Sequence, residues 1–512
     1  MCLNADSIKW AINFVNNHSD GDLFPKILEY EAISAVADDF VQRTEGKDLS
    51  TFPPSSSRRF IVPKDEISYR QATQLDPQDS IFLSAIIYQF GKGIEDRRFS
   101  RDEVFSYRFK PDLSFGLYDN KNAWNDFWSK ALQKSKFASY VLYCDIADFY
   151  NQLYHHTIEN QLLEATFPNQ AIKWIIKLLE STTAGVSRGV PVGPHGIHLL
   201  SEAAMIPIDN SFKSNGYDFL RYVDDILFFC DSEASAKRIL SSTAAIIDKQ
   251  QRLTLQRHKT KILNSDEFRE MFQSMIEDRP ISEDENKVLD VVKKYSGGDP
   301  YRSVSYAKIS EKDWLSLTDE MINQIIHEYL DSQEVDYIHL RWFYRRLTQI
   351  GHPGAIDVTL KEISKLGPCF ANICHYLASV QNIDPEKWKD LGRRLLELLD
   401  AEDVRNNEYF RLSILSLFSK NININHLSNL IQMYSSSEPF ARREILLAAK
   451  TNAAFDWLRE HKESYTTMDP WQKMAYIYGI SGLPKDEKKY FINSQSFNRP
   501  FESVLAQWAK KT

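Results

Sequence analysis

The sequence predicts an α+β fold over its first half and an all-helical second half, and three observations carry that expectation. Residues 140–146 (YVLYCDI) are rich in β-branched and aromatic side chains, which is strand composition. The stretch FLRYVDDILFFC sets two short apolar segments around Val223-Asp224-Asp225 and reads as a hairpin. From about Glu283 the strand-like runs end, and helical patterns of 12–18 residues follow one another.

In chain order, residues 1–50 read as two helices, one around 8–15 and one from 25 to about 42. TFPPSSSRR is a Pro/Ser-rich loop carrying Arg58 and Arg59. DSIFLSAIIYQFGKG is a buried helix closing at Gly91, and residues 122–135 form a helix with Trp124, Phe127, Trp128 and Leu132 on one face. The strand at 140–146 leads to a helix from Tyr150, and residues 158–182 are helical. SRGVPVGPHG is a Gly/Pro loop that opens into the helix HLLSEAAMIPIDNSF. After the hairpin come a helix over 233–251 and LTLQRHKTKILN, a further strand. This order predicts a sheet with helices on one face.

The helices after Glu283 include EDENKVLDVVKKY, EKDWLSLTDEMINQIIHEYL, AIDVTLKEISKL and PEKWKDLGRRLLELL, each with an apolar stripe at helical spacing. Pairs recur at roughly 35–45 residues, the period of stacked helical repeats, so the region reads as HEAT-like. The expected division is 1–54, a helical extension; 55–275, the α+β domain; and 276–512, the helical array.

Composition narrows the function. The 512 residues carry a net charge of −8 and are 43% hydrophobic, with a pI near 5.9. That balance argues against a protein that coats duplex nucleic acid by charge alone, since such binding rests on lysine and arginine neutralising phosphates. It does not argue against an enzyme whose metal-holding carboxylates are acidic by necessity. The start MCLNADSIKW lacks a signal peptide's basic and apolar blocks, and no run of 18 apolar residues occurs. Cys2, Cys144, Cys230, Cys369 and Cys374 show no zinc or disulfide spacing. A reducing cytosol and no membrane partner are expected.

The chemistry concentrates on three aspartates. Phosphoryl transfer from a nucleoside triphosphate uses two divalent ions, and hard Mg²⁺ takes oxygen ligands held on rigid elements. Asp145 closes an apolar strand, and Asp224 and Asp225 occupy a hairpin tip about 80 positions later. YVDD alone is also an ordinary polar turn; the third carboxylate is what points to a metal site.

With Asp145, Asp148 and the Phe149-Tyr150 pair in this order, the sequence resembles the reverse transcriptases over roughly residues 55–265. The resemblance implies right-hand-like fingers and palm, followed by the all-α HEAT-like helical repeat domain. CDIADFY resembles the first palm motif, with Asp145 and Ile146 at metal-holding positions, Asp148 and Phe149 beside the nucleotide, and Tyr150 under the sugar, where its ring selects deoxynucleotides. RYVDD resembles the YxDD motif, with Asp224 and Asp225 the catalytic pair. LTLQRHKTKI resembles the motif whose lysine, Lys259, protonates pyrophosphate. Lys64 and Arg70 match triphosphate-binding positions of the fingers, with Arg58 and Arg59 weaker matches. The implied cofactor is Mg²⁺, as two ions, with Mn²⁺ the alternative. One motif departs: the usual Pro-Gln-Gly is Pro191-Val192-Gly193, and the missing glutamine normally lies near nucleotide and template.

A polymerase domain followed by a long helical region resembles the abortive-infection reverse transcriptases of bacteria. That resemblance implies antiphage defence, a homo-oligomer, and untemplated polymerisation of dNTPs into single-stranded DNA attached to a protein side chain. The sequence does not name the primer: Tyr30 and Tyr69 lie in regions that could approach the palm, but each reads first as a packing residue. The alternatives are an RNA-templated, retron-like defence enzyme and an inactive palm serving as scaffold for a helical binding module. In HLRWFYRRLTQ, Arg341, Arg345 and Arg346 alternate with Trp342, Phe343 and Tyr344. This suits single-strand contact, but a helix with an aromatic core face and a solvated basic face is the favoured reading. Phe410, Leu412, Leu415 and Phe418, with Cys369 and Cys374, are expected to be core.

Overall fold

The computed structural model describes residues 2–21, 23–114, 116–119, 122–273, 280–297, 302–332 and 335–512. The chain divides into two compact units. The first comprises Met1–Gly21, Val36–Arg59 and Thr73–Arg279, and the second Asp22–Ala35, Phe60–Ala72 and Pro280–Thr512. The expected boundary at 275–276 lies outside the described residues. No described helix is long and apolar enough to cross a membrane.

The strands are β1 (Arg58–Pro63), β2 (Tyr69–Gln74), β3 (Phe109–Asp112), β4 (Gly116–Tyr118), β5 (Tyr140–Asp145), β6 (Phe219–Tyr222), β7 (Asp225–Cys230) and β8 (Lys261–Asn264). The first four make two separate pairs; the last four make one antiparallel sheet in the order β6-β7-β5-β8. Strand alternation sends Val141 and Leu227 to one face, against Phe127, Trp128, Phe268 and Phe272. Ile226 and Phe228 point the other way, and Phe228 meets Phe212 of the His195–Ser214 helix ring to ring at 5.1 Å. The Glu233–Gln251 helix also packs on β5, β7 and β8.

Helices therefore cover both faces, not the single face expected. The predicted aromatic stripe on Ala123–Ser135 and the Ser265–Phe272 helix supply the second layer, and the near-continuous apolar β5 is the residue pattern such burial demands.

Other expected elements are shorter than the sequence suggests. The helix expected over 25–42 is two, Glu29–Ala35 and Ala37–Thr44, because Val36 leaves helical dihedrals at φ −129° and ψ 38°. Residues 158–182 break into His155–Glu164 and Asn169–Thr182 before Pro168, which disfavours helix at the residue preceding it. Of LTLQRHKTKILN only Lys261–Asn264 is strand. The amides of Lys259 and Thr260 both turn back onto the Gln256 carbonyl, so the segment is a loop before it becomes a strand.

The second unit is helical apart from its share of β1 and β2. Tyr337–Ile350 packs on Phe370–Ser379, which packs on Glu408–Lys420, and the series continues through Pro439–Thr451 and Pro470–Gly479 to Pro500–Lys511. One apolar core extends along it as far as Ala448 and includes Phe343, Tyr344, Tyr376, Phe410, Leu412, Leu415 and Phe418. Cys369 is buried in that core and Cys374 packs against it half-buried. EKDWLSLTDEMINQIIHEYL is two helices rather than one, since the Thr318 side chain caps a new start by accepting from the Met321 amide. AIDVTLKEISKL keeps only Ile356–Lys361 as α-helix.

Candidate active site

Asp145 ends β5 and Asp225 begins β7, and the two are direct cross-strand partners. Antiparallel pairing brings such Cα atoms to about 4.5–5.5 Å and puts both side chains on one face. Asp224 sits in the two-residue turn between Tyr222 and Asp225, which are themselves paired. The Ile146 amide donates to the Asp224 carbonyl at 3.2 Å, fastening the end of β5 to that turn. Ile146's side chain is buried and apolar, so only its backbone can take part in chemistry.

Lys259 donates from Nζ to Asp145 Oδ2 at 2.7 Å, and Tyr143 donates to Asp225 Oδ1 at 2.6 Å. The loop that replaced the expected strand is what delivers Lys259, with the Gln256 amide donating to the Asp145 carbonyl at 2.7 Å. Burial opposes the Lys259 charge, but Asp145, Asp225 and Asp224 outweigh it and raise its pKa. Burial first, and then Asp224 beside it, push Asp225 up to about 7.

Among the described residues, no three His, Cys, Asp or Glu side chains converge closely enough to ligate one ion alone. The donor set still suits Mg²⁺, which is usually held by one or two carboxylates plus substrate phosphates rather than by an all-protein cage. Asp145 and Asp225 supply that facing pair, and the Asp225 pKa, raised first by burial and then by Asp224, is one that a bound cation would lower. Because Asp225 must lose its proton to ligate, Mg²⁺ affinity should rise from about pH 5 to 7 and then level off. Isothermal titration in buffers of differing ionisation enthalpy should show close to one proton released per ion at about pH 5, with release falling away around and above pH 7. An affinity flat across that range would contradict this assignment.

The tip is backed by a buried charge network. Val223 has φ +55°, a left-handed conformation unfavourable for a β-branched residue. Its amide donates to Ser106 Oγ at 2.9 Å, and its carbonyl accepts from Arg221 Nη1 at 2.8 Å. Arg221 is fully buried and donates to both oxygens of Asp209 (2.8 and 2.7 Å) and both of Glu202 (3.3 and 2.9 Å). Ser106 and Arg98 also donate to Glu202, at 2.6 and 2.7 Å. Burial opposes ionisation of Glu202, yet Arg221 and Arg98 outweigh it and hold the carboxyl below its usual range. Sequence reading overlooked this network, although an arginine inside apolar FLRYV and two acids inside HLLSEAAMIPID were its traces.

The other candidates divide. Asp148 is exposed, with φ +51°, and accepts from Asn151 Nδ2 at 2.7 Å. Phe149 is buried. The Tyr150 hydroxyl meets His198 Nδ1 at 2.9 Å, and the Tyr107 ring stacks on His198 at 4.0 Å and 1°; neither Tyr107 nor His198 was anticipated. The Val190 amide donates to the Tyr150 carbonyl, drawing the Pro191-Val192-Gly193 loop toward it. Gly193 has φ +128°, and the space beside its carbonyl is taken by Gly21, where a Cβ would lie 2.2 Å from that oxygen. Lys64 and Arg70 belong to the second unit. There the Lys64 carbonyl accepts from Arg341 Nη2 at 2.8 Å, and Arg70 lines a cavity with Arg341. Tyr30 is buried in that unit, while Tyr69 is 59% exposed.

A family model described as "Reverse transcriptase (RNA-dependent DNA polymerase)" matches residues 64–291. Residues 64–291 therefore carry a reverse-transcriptase domain. Among solved structures the chain is similar to apo telomerase from Candida tropicalis, at 11% identity and a TM-score of 0.32, covering 88% of this chain and 74% of that one. It is similar also to telomerase from Candida albicans in complex with the TWJ fragment of telomeric RNA, at 11% identity and a TM-score of 0.29, covering 81% and 70%. No curated protein sequence matches the chain.

Proposed function

We propose that this chain is a DNA polymerase of the abortive-infection type, adding deoxynucleotides without a template and starting from a protein hydroxyl, in antiphage defence. The observation that carries the polymerase reading is the cross-strand pair Asp145–Asp225, with Asp224 beside it in the turn, inside a reverse-transcriptase domain. When bound, two divalent ions, Mg²⁺ or Mn²⁺, activate the attacking hydroxyl and neutralise charge on the leaving pyrophosphate. Asp145, Asp224 and Asp225, with the Ile146 carbonyl, are the groups that would hold them. Lys259, kept charged beside Asp145, holds a proton that it can give to the departing phosphate oxygen. The Tyr150 ring, whose hydroxyl is bonded to His198, would exclude a 2′-hydroxyl.

The untemplated part of the reading rests on Val192. Where the usual loop presents an amide to nucleotide and template, Val192 offers only an apolar side chain, and its carbonyl is occupied by the Thr73 amide at 2.8 Å. In domain terms the reading is an extension over 1–54, fingers and palm over 55–275, and a HEAT-like array over 276–512. The succession of mutually packed helices in the second unit is what supports the last of these. Lys64 and Arg70 would meet the triphosphate, and Asp148, Phe149, Pro191 and Gly193 would shape the nucleotide pocket.

Purified protein given Mg²⁺ and one labelled dNTP at a time, with no nucleic acid, should yield label that co-migrates with the protein on a denaturing gel. Incorporation strictly dependent on added RNA would replace this reading with a templated enzyme.

A further inference from the structure

The second unit contains a cavity of about 440 Å³ whose lining includes Arg70, Arg341, Arg345 and His375 and, among the described residues, no aspartate or glutamate. Arg341 and Arg345 bring two guanidiniums to one space whose described lining holds no carboxylate, a charge pattern that favours an anion. The nearby acids Asp65 and Glu66 line a different, smaller cavity of about 110 Å³.

The local structure explains how the arginines come together. Tyr337–Ile350 sorts its HLRWFYRRLTQ residues by face: Phe343 and Tyr344 are buried in the core, and the Tyr344 hydroxyl is bonded to Thr359 Oγ1 at 2.7 Å. Those two rings cannot stack on bases. Arg341 and Arg345, four residues apart and so on one face, line the cavity instead. Arg341 is fixed by donating from Nε to the Pro368 carbonyl at 3.1 Å and from Nη2 to the Lys64 carbonyl at 2.8 Å. Arg345 makes no hydrogen bond or ion pair among the described residues and is exposed. The floor is apolar, from Val62 and Phe370.

We infer that this cavity binds the phosphate groups of a nucleotide or of a single nucleic-acid strand, with Arg341 and Arg345 as its principal donors. Guanidinium forks match phosphate oxygens, which ammonium groups do not do as selectively. The volume is in the range of small-ligand sites, enough for a nucleotide or a turned-in stretch of strand. The cavity shares Arg70 with the proposed triphosphate contact, but the inference rests on Arg341 and Arg345 and concerns binding alone.

The test uses the full chain carrying Asp224→Asn and Asp225→Asn, so that no probe is extended. Fluorescence anisotropy would follow a labelled single strand of about ten deoxythymidines, and calorimetry would follow inorganic triphosphate. Arg341→Gln with Arg345→Gln should weaken one probe or both by at least about tenfold and reduce the salt dependence by about one to two phosphate contacts. Loss confined to the strand identifies nucleic acid as the source, and loss confined to triphosphate identifies a nucleotide. Arg345→Gln alone, at an exposed and unbonded side chain, guards against a folding artefact and should still weaken binding measurably. Unchanged affinity for both probes in the double variant overturns the inference, whatever the outcome of synthesis assays.

Discussion

Asp225→Asn should lower nucleotide incorporation roughly a thousandfold, the several kcal/mol that metal-held charge stabilisation supplies, without lowering thermal stability. The two readouts separate because Asp225 is a liability to the metal-free fold. Its carboxyl is largely desolvated beside Asp224, which together raise its pKa to about 7. Between the usual value of 3.8 and about 7 the folded protein binds more of this proton than the unfolded chain does. Stability of the metal-free protein therefore falls as pH rises through that window and levels off above it. Asparagine removes the charge, so the variant should melt at or above the wild-type temperature on the alkaline side of the window and lose the slope. Steady-state incorporation and a pH series of melting curves measure both. Retained activity in a stably folded variant would remove Asp225 from the chemistry and take the polymerase reading with it. Asp145→Asn should be similarly inactive, but by a different route, since it also releases Lys259 from its partner.

The contrast between what could and could not be read from sequence follows from how far apart in the chain the contacts are. A carboxylate closing an apolar strand has no packing role, so Asp145 stands out against YVLYCDI, and a hairpin between apolar arms brings Asp224 and Asp225 forward for the same reason. Their juxtaposition needs only antiparallel pairing of β5 and β7. The helical second half is legible because each helix carries its own apolar stripe. Less legible is anything set by distant partners. Val223 depends on Ser106, 117 positions earlier, and Arg221 on acids 12 and 19 positions back. Lys64 and Arg341, 277 positions apart, meet through a backbone carbonyl that no motif marks. The second helical layer on the sheet was hidden for a related reason: a strand buried on both faces lacks the alternation that would reveal which helix covers which side.

Arg221 offers the sharpest separation of fold from function outside the aspartates. Arg221→Met should destabilise the first unit by about 3–5 kcal/mol, the usual consequence of leaving buried charges uncompensated, and lower its melting temperature by roughly 10 °C. Glu202 and Asp209 would lose their bidentate partner in a site from which water is excluded. Arg221→Lys should not rescue it, because one ammonium cannot span two carboxylates and the Val223 carbonyl at once. The informative variant replaces the triad together: Arg221→Met, Glu202→Gln and Asp209→Leu. With Arg221, Glu202 and Asp209 neutralised in concert, and buried Arg98 keeping Glu95 at 3.0 Å as its partner, much of the lost stability should return. The Val223 carbonyl would remain without its donor, so nothing would hold that residue at φ +55° from the carbonyl side. Incorporation at saturating dNTP should then stay at least about tenfold below wild type, with the KM for dNTP little changed, because what is lost is the placement of Asp224 and Asp225 and not nucleotide binding. Melting curves and the split between kcat and KM decide the matter. A triple variant that regains both stability and full kcat would show that Arg221 serves packing alone, and that the aspartate turn keeps its shape without it.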